Sequence, residues 1–185
     1  MKELSLNILD IAENSVKANA TLVKITITES EEELVLTIAD DGCGMKKEIL
    51  LSVTDPFYTT RTTRKVGMGL PLLKFAAEQT GGGLTIHSFH KDEYPDEHGT
   101  TVIAKFNKNH IDFTPLGDAA SSIVTLIQGH PDTDFLYKHT FADGKEVLLD
   151  TRELRAVLDD VPLDTFEVLV WIKDNLGEQY EETKK

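Results

Sequence analysis

The chain has 185 residues, of which 40% are hydrophobic and 28% are charged, so it is long and apolar enough to form a packed core. Its formal net charge of −13 argues against a nucleic acid or an anionic membrane surface as the main partner, because both would repel it. A single cysteine excludes a disulfide framework. The sequence contains no run of about 18 apolar residues, so no membrane-spanning helix is predicted.

The hydrophobic pattern up to residue 106 predicts an alternation of helices and strands. Apolar residues recur at helical spacing near the N-terminus, and the two segments that follow alternate apolar and polar residues. Residues 54–68 are rich in threonine and basic residues without a sustained period, which predicts a long loop. We expect helices at residues 3–17, 46–53 and 70–80 and a long loop at 54–68. Strands are expected at 22–28, 34–39, 84–89 and 100–106. This order predicts an α+β fold in which helices cover one face of a mostly antiparallel sheet.

After a linker near residues 107–115, the pattern predicts a small α/β module. Its expected elements are a helix, two strands and two helices, at residues 117–129, 134–141, 145–149, 151–159 and 164–182. We therefore divide the chain into domains 1–108 and 112–185. The second domain matches no motif and is the more acidic, since the net charge is −8 from residue 107 onward and −5 before it. Trp171 is interpreted as a core residue, with an exposed partner-binding helix face as the alternative.

A polar stripe follows the first predicted helix. Asn7, Asp10, Asn14 and Lys17 are spaced by three, four and three residues, so they share one helix face. An ordinary solvated face is one interpretation. The other is a site, because a carboxamide oxygen suits magnesium bound to phosphates and a carboxylate one turn away can orient or deprotonate a nucleophile.

A glycine turn ends the second predicted strand. Two glycines, Gly42 and Gly44, follow the acidic pair Asp40 and Asp41. Glycines permit close approach of a flat ligand, and a carboxylate at the end of a strand can accept a hydrogen bond from an exocyclic amine. An ordinary turn remains the alternative.

The long loop and the helix after it carry features that favour an anion. A five-residue stretch contains three cations, Arg61, Arg64 and Lys65, although the chain as a whole is acidic. This cluster favours binding of an anion over which the loop closes. An exposed loop without a ligand is the alternative. Gly67 and Gly69 then run directly into a helix, where free backbone N–H groups can hold a phosphate.

Taken in this order, the features resemble the GHKL ATPases, which include gyrase B subunits, heat-shock chaperones, sensor histidine kinases and mismatch-repair ATPases. The resemblance covers about residues 4–106. It comprises an N box at residues 8–17, a G1 box at 40–45, an F box with an ATP lid at 55–61 and a G2 box at 66–70. Two closing segments follow at 82–83 and 99–101, and the lid is most similar to that of histidine kinases. It implies an α/β sandwich of the Bergerat type, with helices on one face of a mixed, mostly antiparallel sheet.

The resemblance also implies a ligand and roles for residues. It implies binding of ATP with Mg²⁺, with Asn14 holding the metal, Asp40 binding the adenine amine and Asp10 in the catalytic position. The further ATP-binding positions that it implies are Lys17, Gly42, Gly44, Met45, Thr60, Arg61, Lys65, Gly67, Gly69, Leu70 and Thr100.

The N box combines features of two branches of this family. Gyrase-like and mismatch-repair members place a catalytic Glu four residues before the magnesium Asn, where this chain has Asp10, one methylene shorter. Glu13 lies next to Asn14 and is expected to point about 100° away from it on a helix. Lys17 matches a lysine of the sensor kinases. The mixture leaves open whether ATP is hydrolysed, transferred or only bound.

Three functions therefore remain open. The chain is a phosphotransferase that acts on a separate protein, an ATPase switch that exposes a binding surface, or a nucleotide-binding regulatory scaffold without turnover. We expect an ATPase or a protein kinase for His or Ser that acts in trans on a protein partner of unknown identity. The sequence does not decide whether the chain forms a homodimer. The N-terminus contains Glu3 and Asp10 and has no small-residue cleavage site, so we expect a cytoplasmic protein.

Overall fold

The structure is a computed structural model, and it describes residues 3–54 and 68–185. The helices in these ranges are α1 (Leu4–Lys17), α2 (Lys47–Ser52), α3 (Gly69–Gln79), α4 (Ala119–Gly129), α5 (Thr151–Leu158) and α6 (Phe166–Thr183). The strands are β1 (Leu22–Glu29), β2 (Glu33–Asp40), β3 (Gly83–Phe89), β4 (Gly99–Asn107), β5 (Asp134–Thr140) and β6 (Glu146–Asp150). Each predicted helix and strand is present, and none of their ends is shifted by more than two residues. Within the described ranges, no helix has the length and apolar character needed to cross a membrane.

The strands form one six-stranded sheet in the order β3-β4-β2-β1-β5-β6. Neighbouring strands are antiparallel except β1 and β5, which are parallel. One face of the sheet is buried beneath the helices, because alternate residues such as Ile25 on β1 and Leu36 on β2 are almost fully buried. The expected α+β class, with helices against a mixed and mostly antiparallel sheet, is confirmed.

The register of the sheet brings together three motifs that are far apart in sequence. Asp40 at the end of β2 pairs with Thr100 at the start of β4, and on its other side with Val23 of β1. Helix α1 lies across β1 and β2, and the start of α3 contacts α1. The polar face of α1, the glycine turn and the start of α3 therefore meet at one end of the sheet.

The C-terminal segment extends this sheet. Strand β5 pairs with β1, and α4 packs against α1. The first two backbone N–H groups of α1, on Leu4 and Ser5, donate to the carbonyl oxygens of Pro115 and Leu116 at 2.9 and 2.8 Å. These carbonyls satisfy donors that a helix N-terminus leaves free. The division into domains 1–108 and 112–185 stays a prediction, and the two segments share one sheet.

Two side chains lie where the hydrophobic pattern did not predict them. Trp171 on α6 is 50% exposed, so its interpretation as a core residue is wrong, and the neighbouring Ile172 is buried instead. Asn7 on α1 is fully buried, so it does not belong to the exposed polar stripe. Neither polar atom of its amide has a hydrogen-bond partner among the described residues.

A buried polar network joins β1, β5 and α6. The carboxylate of Glu29 accepts a hydrogen bond from Nε2 of His139 at 2.9 Å and pairs with Nζ of Lys108 at 2.6 Å. Nδ1 of His139 lies 3.0 Å from the hydroxyl of Tyr180, which is also hydrogen-bonded to the hydroxyl of Tyr137. The His139 side chain is 1% exposed, and burial raises the pKa of both tyrosines, that of Tyr180 to about 12. The network therefore fixes α6 to the sheet by fully paired polar groups.

Replacing Glu29 is expected to reduce stability in a pH-dependent way. The hydrogen bond from His139 and the charge of Lys108 outweigh burial and lower the Glu29 pKa to about 2. A lowered carboxyl pKa stabilises the fold above the unfolded value near 4.5, and this contribution is lost as pH falls toward 2. We expect Glu29→Gln to lower the free energy of unfolding by about 1–3 kcal/mol at pH 7, and by less at pH 3.

Urea denaturation at both pH values measures this difference. Glu31→Gln, in the exposed turn before β2, is the matched control and should change stability by less than about 0.5 kcal/mol. A Glu29→Gln effect that is equal at pH 7 and pH 3 would contradict the role of the carboxylate charge.

Candidate functional site

The Asp40 carboxylate is held by donors from three elements. Its Oδ2 accepts a hydrogen bond from Oγ of Ser15 on α1 at 2.6 Å. Its Oδ1 accepts from the backbone N–H groups of Gly42 and Thr100 at 3.0 and 3.2 Å. A carboxylate has about four acceptor positions, so one position on Oδ2 remains for a further donor. Asp40 is partly exposed, which is compatible with a ligand at that position.

Ser15 is a site residue that the sequence analysis missed. It lies at the helical spacing of the apolar residues of α1, and its side chain is buried. A hydroxyl at a buried helical position, next to Asn14, was the one signal in the sequence. Its role depends on the contact between α1 and the end of β2, which spacing along the chain does not reveal.

Asp41 has a structural role that is distinct from that of Asp40. Its carboxylate accepts hydrogen bonds from the backbone N–H groups of Thr21 and Leu22 at 2.7 and 2.9 Å, and from the Thr21 hydroxyl. Burial raises the Asp41 pKa, but these hydrogen bonds outweigh burial and the pKa is lowered. Asp41 therefore anchors the turn to the start of β1, while Asp40 faces the site.

The glycine turn is clamped between the end of α1 and the loop after β3. The N–H of Cys43 donates to the carbonyl of Ala18 at 2.8 Å, and the carbonyl of Cys43 accepts from Lys91 N–H at 3.0 Å. Gly44 has φ of +68°, and a Cβ there would lie 1.9 Å from the carbonyl oxygen of Phe89. A residue with a side chain does not fit at this position, so the close approach of the two loops requires glycine.

Two further polar side chains support the turn, and the motifs gave no signal for either. Ser88 Oγ accepts from the Met45 N–H at 2.7 Å and lies 2.8 Å from Oγ1 of Thr100. His98 Nδ1 donates to the carbonyl of Gly42 at 2.6 Å. Met45 and Thr100, both predicted site residues, are thus connected through Ser88.

Helix α1 presents three of its predicted site residues together. Asp10, Asn14 and Lys17 are all exposed and share one helix face. The start of α3 lies against this face, because a Cβ on Gly69 would be 3.2 Å from Cβ of Asp10. Leu70, the next residue of α3, is buried. Partial burial raises the Asp10 pKa, Lys17 opposes this shift, and the charge of Glu13 adds to it.

Glu13 faces the C-terminal segment. Its Oε1 accepts from Nε2 of His130, at the end of α4, at 2.8 Å, and its Oε2 lies 3.4 Å from Nζ of Lys17. Burial raises the Glu13 pKa, but the hydrogen bond and charge of His130, together with Lys17, lower it overall. The structure therefore directs Glu13 away from Asn14 and toward α4.

Part of the predicted site lies outside the described residues. This applies to Thr60, Arg61, Lys65 and Gly67 and to most of the predicted lid. Among residues 3–54 and 68–185, no group of three or more His, Cys, Asp and Glu side chains is arranged to hold a metal ion. A metal with mostly water and phosphate ligands needs fewer protein groups, and the exposed amide of Asn14 fits that requirement.

Comparison with known proteins adds evidence for the first part of the chain. Residues 2–110 match the model of a family described as histidine kinase-, DNA gyrase B- and HSP90-like ATPase. The sensor protein SrrB of Staphylococcus aureus is 34% identical over 113 residues, which cover 58% of this chain and 18% of SrrB. An NtrY-like sensor histidine kinase of Rickettsia bellii is 31% identical over 87 residues, which cover 46% of this chain and 14% of that protein. The matched segments thus span less than a fifth of either relative.

A solved structure has the same fold. It is the crystal structure of the N-terminal domain of a DNA repair protein, with a TM-score of 0.57 and 17% sequence identity. The alignment covers 81% of this chain and 53% of that one, so it extends beyond residue 110 into the C-terminal segment.

Proposed function

This chain belongs to the histidine kinase-, DNA gyrase B- and HSP90-like ATPases, and from that premise we propose that it binds ATP with Mg²⁺ and acts as an ATPase or protein kinase on a separate protein. The observation that carries the proposal is the Asp40 carboxylate, held by three donors with one acceptor position left. It lies beside the glycine turn, at the same end of the sheet as the polar face of α1.

The adenine base is assigned to Asp40 and the glycine turn. The remaining acceptor position on Oδ2 of Asp40 would accept a hydrogen bond from the exocyclic amine of adenine. The backbone from Gly42 to Met45 bounds the same space, and its geometry is held by Ser88 and His98. A site built for a particular donor discriminates against bases that lack it.

The phosphates are assigned to the start of α3 and the polar face of α1. The free N–H groups of a helix N-terminus favour a phosphate, and Gly69 begins such a helix beside Asp10. Asn14 would hold Mg²⁺, which would neutralise phosphate charge, and Lys17 would add a positive charge. The family resemblance adds Thr60, Arg61, Lys65 and Gly67 as phosphate ligands.

Asp10 is assigned as the base that orients or deprotonates the nucleophile. Its raised pKa favours this role, because a base is most effective when its pKa approaches the working pH. Its short side chain supports a second candidate, a regulatory scaffold that binds ATP without turnover. Asp is one methylene shorter than Glu, and a displacement of about 1 Å in a reacting group can cost on the order of a hundredfold in rate.

Asp40→Asn is expected to weaken nucleotide binding and to preserve the fold. The amide oxygen can still accept from Gly42 and Thr100, and the Ser15 hydroxyl can rotate to accept from the amide nitrogen. The adenine amine would then meet a donor in place of an acceptor, which costs about 1–3 kcal/mol, or about 5- to 150-fold in Kd.

Isothermal titration calorimetry with ADP measures this loss, and thermal unfolding checks the fold. Asp132→Asn, at an exposed position before β5, is the matched control and should bind ADP as the wild type does. An unchanged affinity in Asp40→Asn would remove Asp40 from the site.

Asn14→Ala is expected to weaken ATP binding in magnesium and much less in EDTA. The amide is exposed on α1, so the main loss would be a metal ligand. Calorimetric titration with ATP in each buffer gives the comparison, with Asn109→Ala, also exposed, as the control. Equal losses in magnesium and EDTA would point to a direct nucleotide contact instead of metal ligation.

We expect slow ATP hydrolysis by the wild type, because Asp10 is shorter than Glu, and a still lower rate in Asp10→Asn. The affinity for ATP should be almost unchanged. The carboxylate would act on the attacking group and not on the bound nucleotide, so its loss affects the rate of the chemical step. Because the protonated acid is not a base, the wild-type rate should fall as pH is lowered through the raised Asp10 pKa.

Single-turnover rates with saturating ATP and magnesium, measured for both proteins across pH, test this role. Equal rates would favour the scaffold, or a phosphotransferase in which Asp10 is not the base.

A further inference from the structure

The solvent-facing side of α6 carries large apolar side chains that no other described element covers. Phe166, Val170 and Trp171 are 74%, 41% and 50% exposed, and they lie on one side of the first half of the helix. The opposite side of α6 packs into the protein through Val168 and Ile172. The outer face of α6 is the name used below for the exposed side. It contains Phe166, Val170 and Trp171 and the carboxylates Glu167, Asp174, Glu178, Glu181 and Glu182.

The outer face is strongly acidic. Its exposed carboxylates are Glu167, Asp174, Glu178, Glu181 and Glu182. Among the described residues, the ion pair of α6 is that of Glu181 with Lys184, at 2.6 Å. The charge of Lys173 acts on Asp118, the residue before α4. Toward the end of the helix, a surface depression of about 440 Å³ is lined by Gly177, Glu178, Glu181, Glu182 and Lys185.

This pattern restricts what can cover the face. A nucleic acid or an anionic membrane would be repelled by the carboxylates. A second copy of the chain, related by a two-fold axis through the apolar half, would leave the carboxylates of both copies without cations. A cationic small molecule would leave the apolar half exposed. The occupant that complements both halves is a protein segment with apolar side chains at one end and Lys or Arg at the other.

We propose that the outer face of α6 is a docking surface for a basic, amphipathic segment of a partner protein. Apolar side chains of the segment would cover Phe166, Val170 and Trp171. Its cations would lie over Glu178 and Glu181. At 1.5 Å per residue, these carboxylates are about 10–16 Å beyond Val170 and Trp171 along the helix. This surface goes beyond the proposed function, because the docking needs no nucleotide and involves none of the ATP-site residues.

The chain contains a single tryptophan, which lies in this face and reports directly on binding. The probe is a synthetic 18-residue peptide with Leu concentrated in one half, Lys concentrated in the other half, and no Trp or Tyr. Added to the full chain without nucleotide, it should shift the Trp171 emission to shorter wavelength and protect it from acrylamide, with saturation. A scrambled peptide of the same composition, in which Leu and Lys do not segregate, should do neither.

Paired variants separate this surface from general attraction to an acidic protein. Phe166→Gln with Val170→Gln, and Glu178→Gln with Glu181→Gln, should each weaken peptide binding by about tenfold or more. The matched controls are Leu51→Gln with Ile111→Gln, both highly exposed, and Glu31→Gln with Glu32→Gln in an exposed turn. These should change binding by less than about twofold.

The proposal is overturned if Trp171 emission does not change, if the scrambled peptide binds equally well, or if the control pairs weaken binding as much as the α6 pairs. Circular dichroism of each variant checks that α6 is retained. Because nucleotide is absent throughout, failure here leaves the ATP site untouched, and failure of ATP binding leaves this surface untouched.

Discussion

The hydrogen bonds that converge on the Asp40 carboxylate are the constraint on which the rest of the site depends. They join Ser15 of α1, the turn after β2 and the first residues of β4, three segments that are up to 85 residues apart in sequence. Since Ser15 directly follows Asn14, the same contact that orients Asp40 also sets the rotation of α1 about its axis. Asp10, on the polar face of α1, thereby lies against Gly69 at the start of α3. The acceptor that we propose for the base and the groups that we propose for the phosphates are therefore coupled through one buried hydroxyl.

The C-terminal segment supports this arrangement from the other side of α1. The carbonyls of Pro115 and Leu116 accept from the first N–H groups of α1, and His130 contacts Glu13 near the end of the helix. Strand β5, which follows His130, pairs with β1 and fixes the segment to the sheet. Helix α1 is thus held at its start by the segment after β4, and toward its end by His130 and Asp40. A helix held at three points keeps the groups on its exposed face in place without a ligand.

The sequence predicted the elements well because each carries a strong local pattern, and the helices and strands end at glycines, prolines or charged turns. Contacts between distant segments were not predictable in this way. The parallel pairing of β5 with β1 and the role of Ser15 both depend on tertiary packing, which a single sequence does not encode locally. Periodicity also fails where apolar residues are continuous. In the run from Val168 to Ile172, it does not tell which side of α6 faces the core, and Trp171 was therefore misplaced. Asn7 shows the converse limit, because a polar residue at stripe spacing is buried by α1 packing.

The two carboxylates of the N box acquire different environments from the same helix. One oxygen of Glu13 is hydrogen-bonded to His130 and the other lies near Lys17, so both oxygens are occupied. These contacts lower the Glu13 pKa. Asp10, three residues earlier, forms no ion pair among the described residues, and partial burial raises its pKa. A group that acts as a base needs a free oxygen and a raised pKa, whereas a group that holds a helix in place needs the opposite. The length of the side chain alone favours Glu13, but the contacts of Glu13 with His130 and Lys17 support our proposal of Asp10 as the base. An oxygen already engaged by a cation is a weak acceptor for a nucleophile's proton.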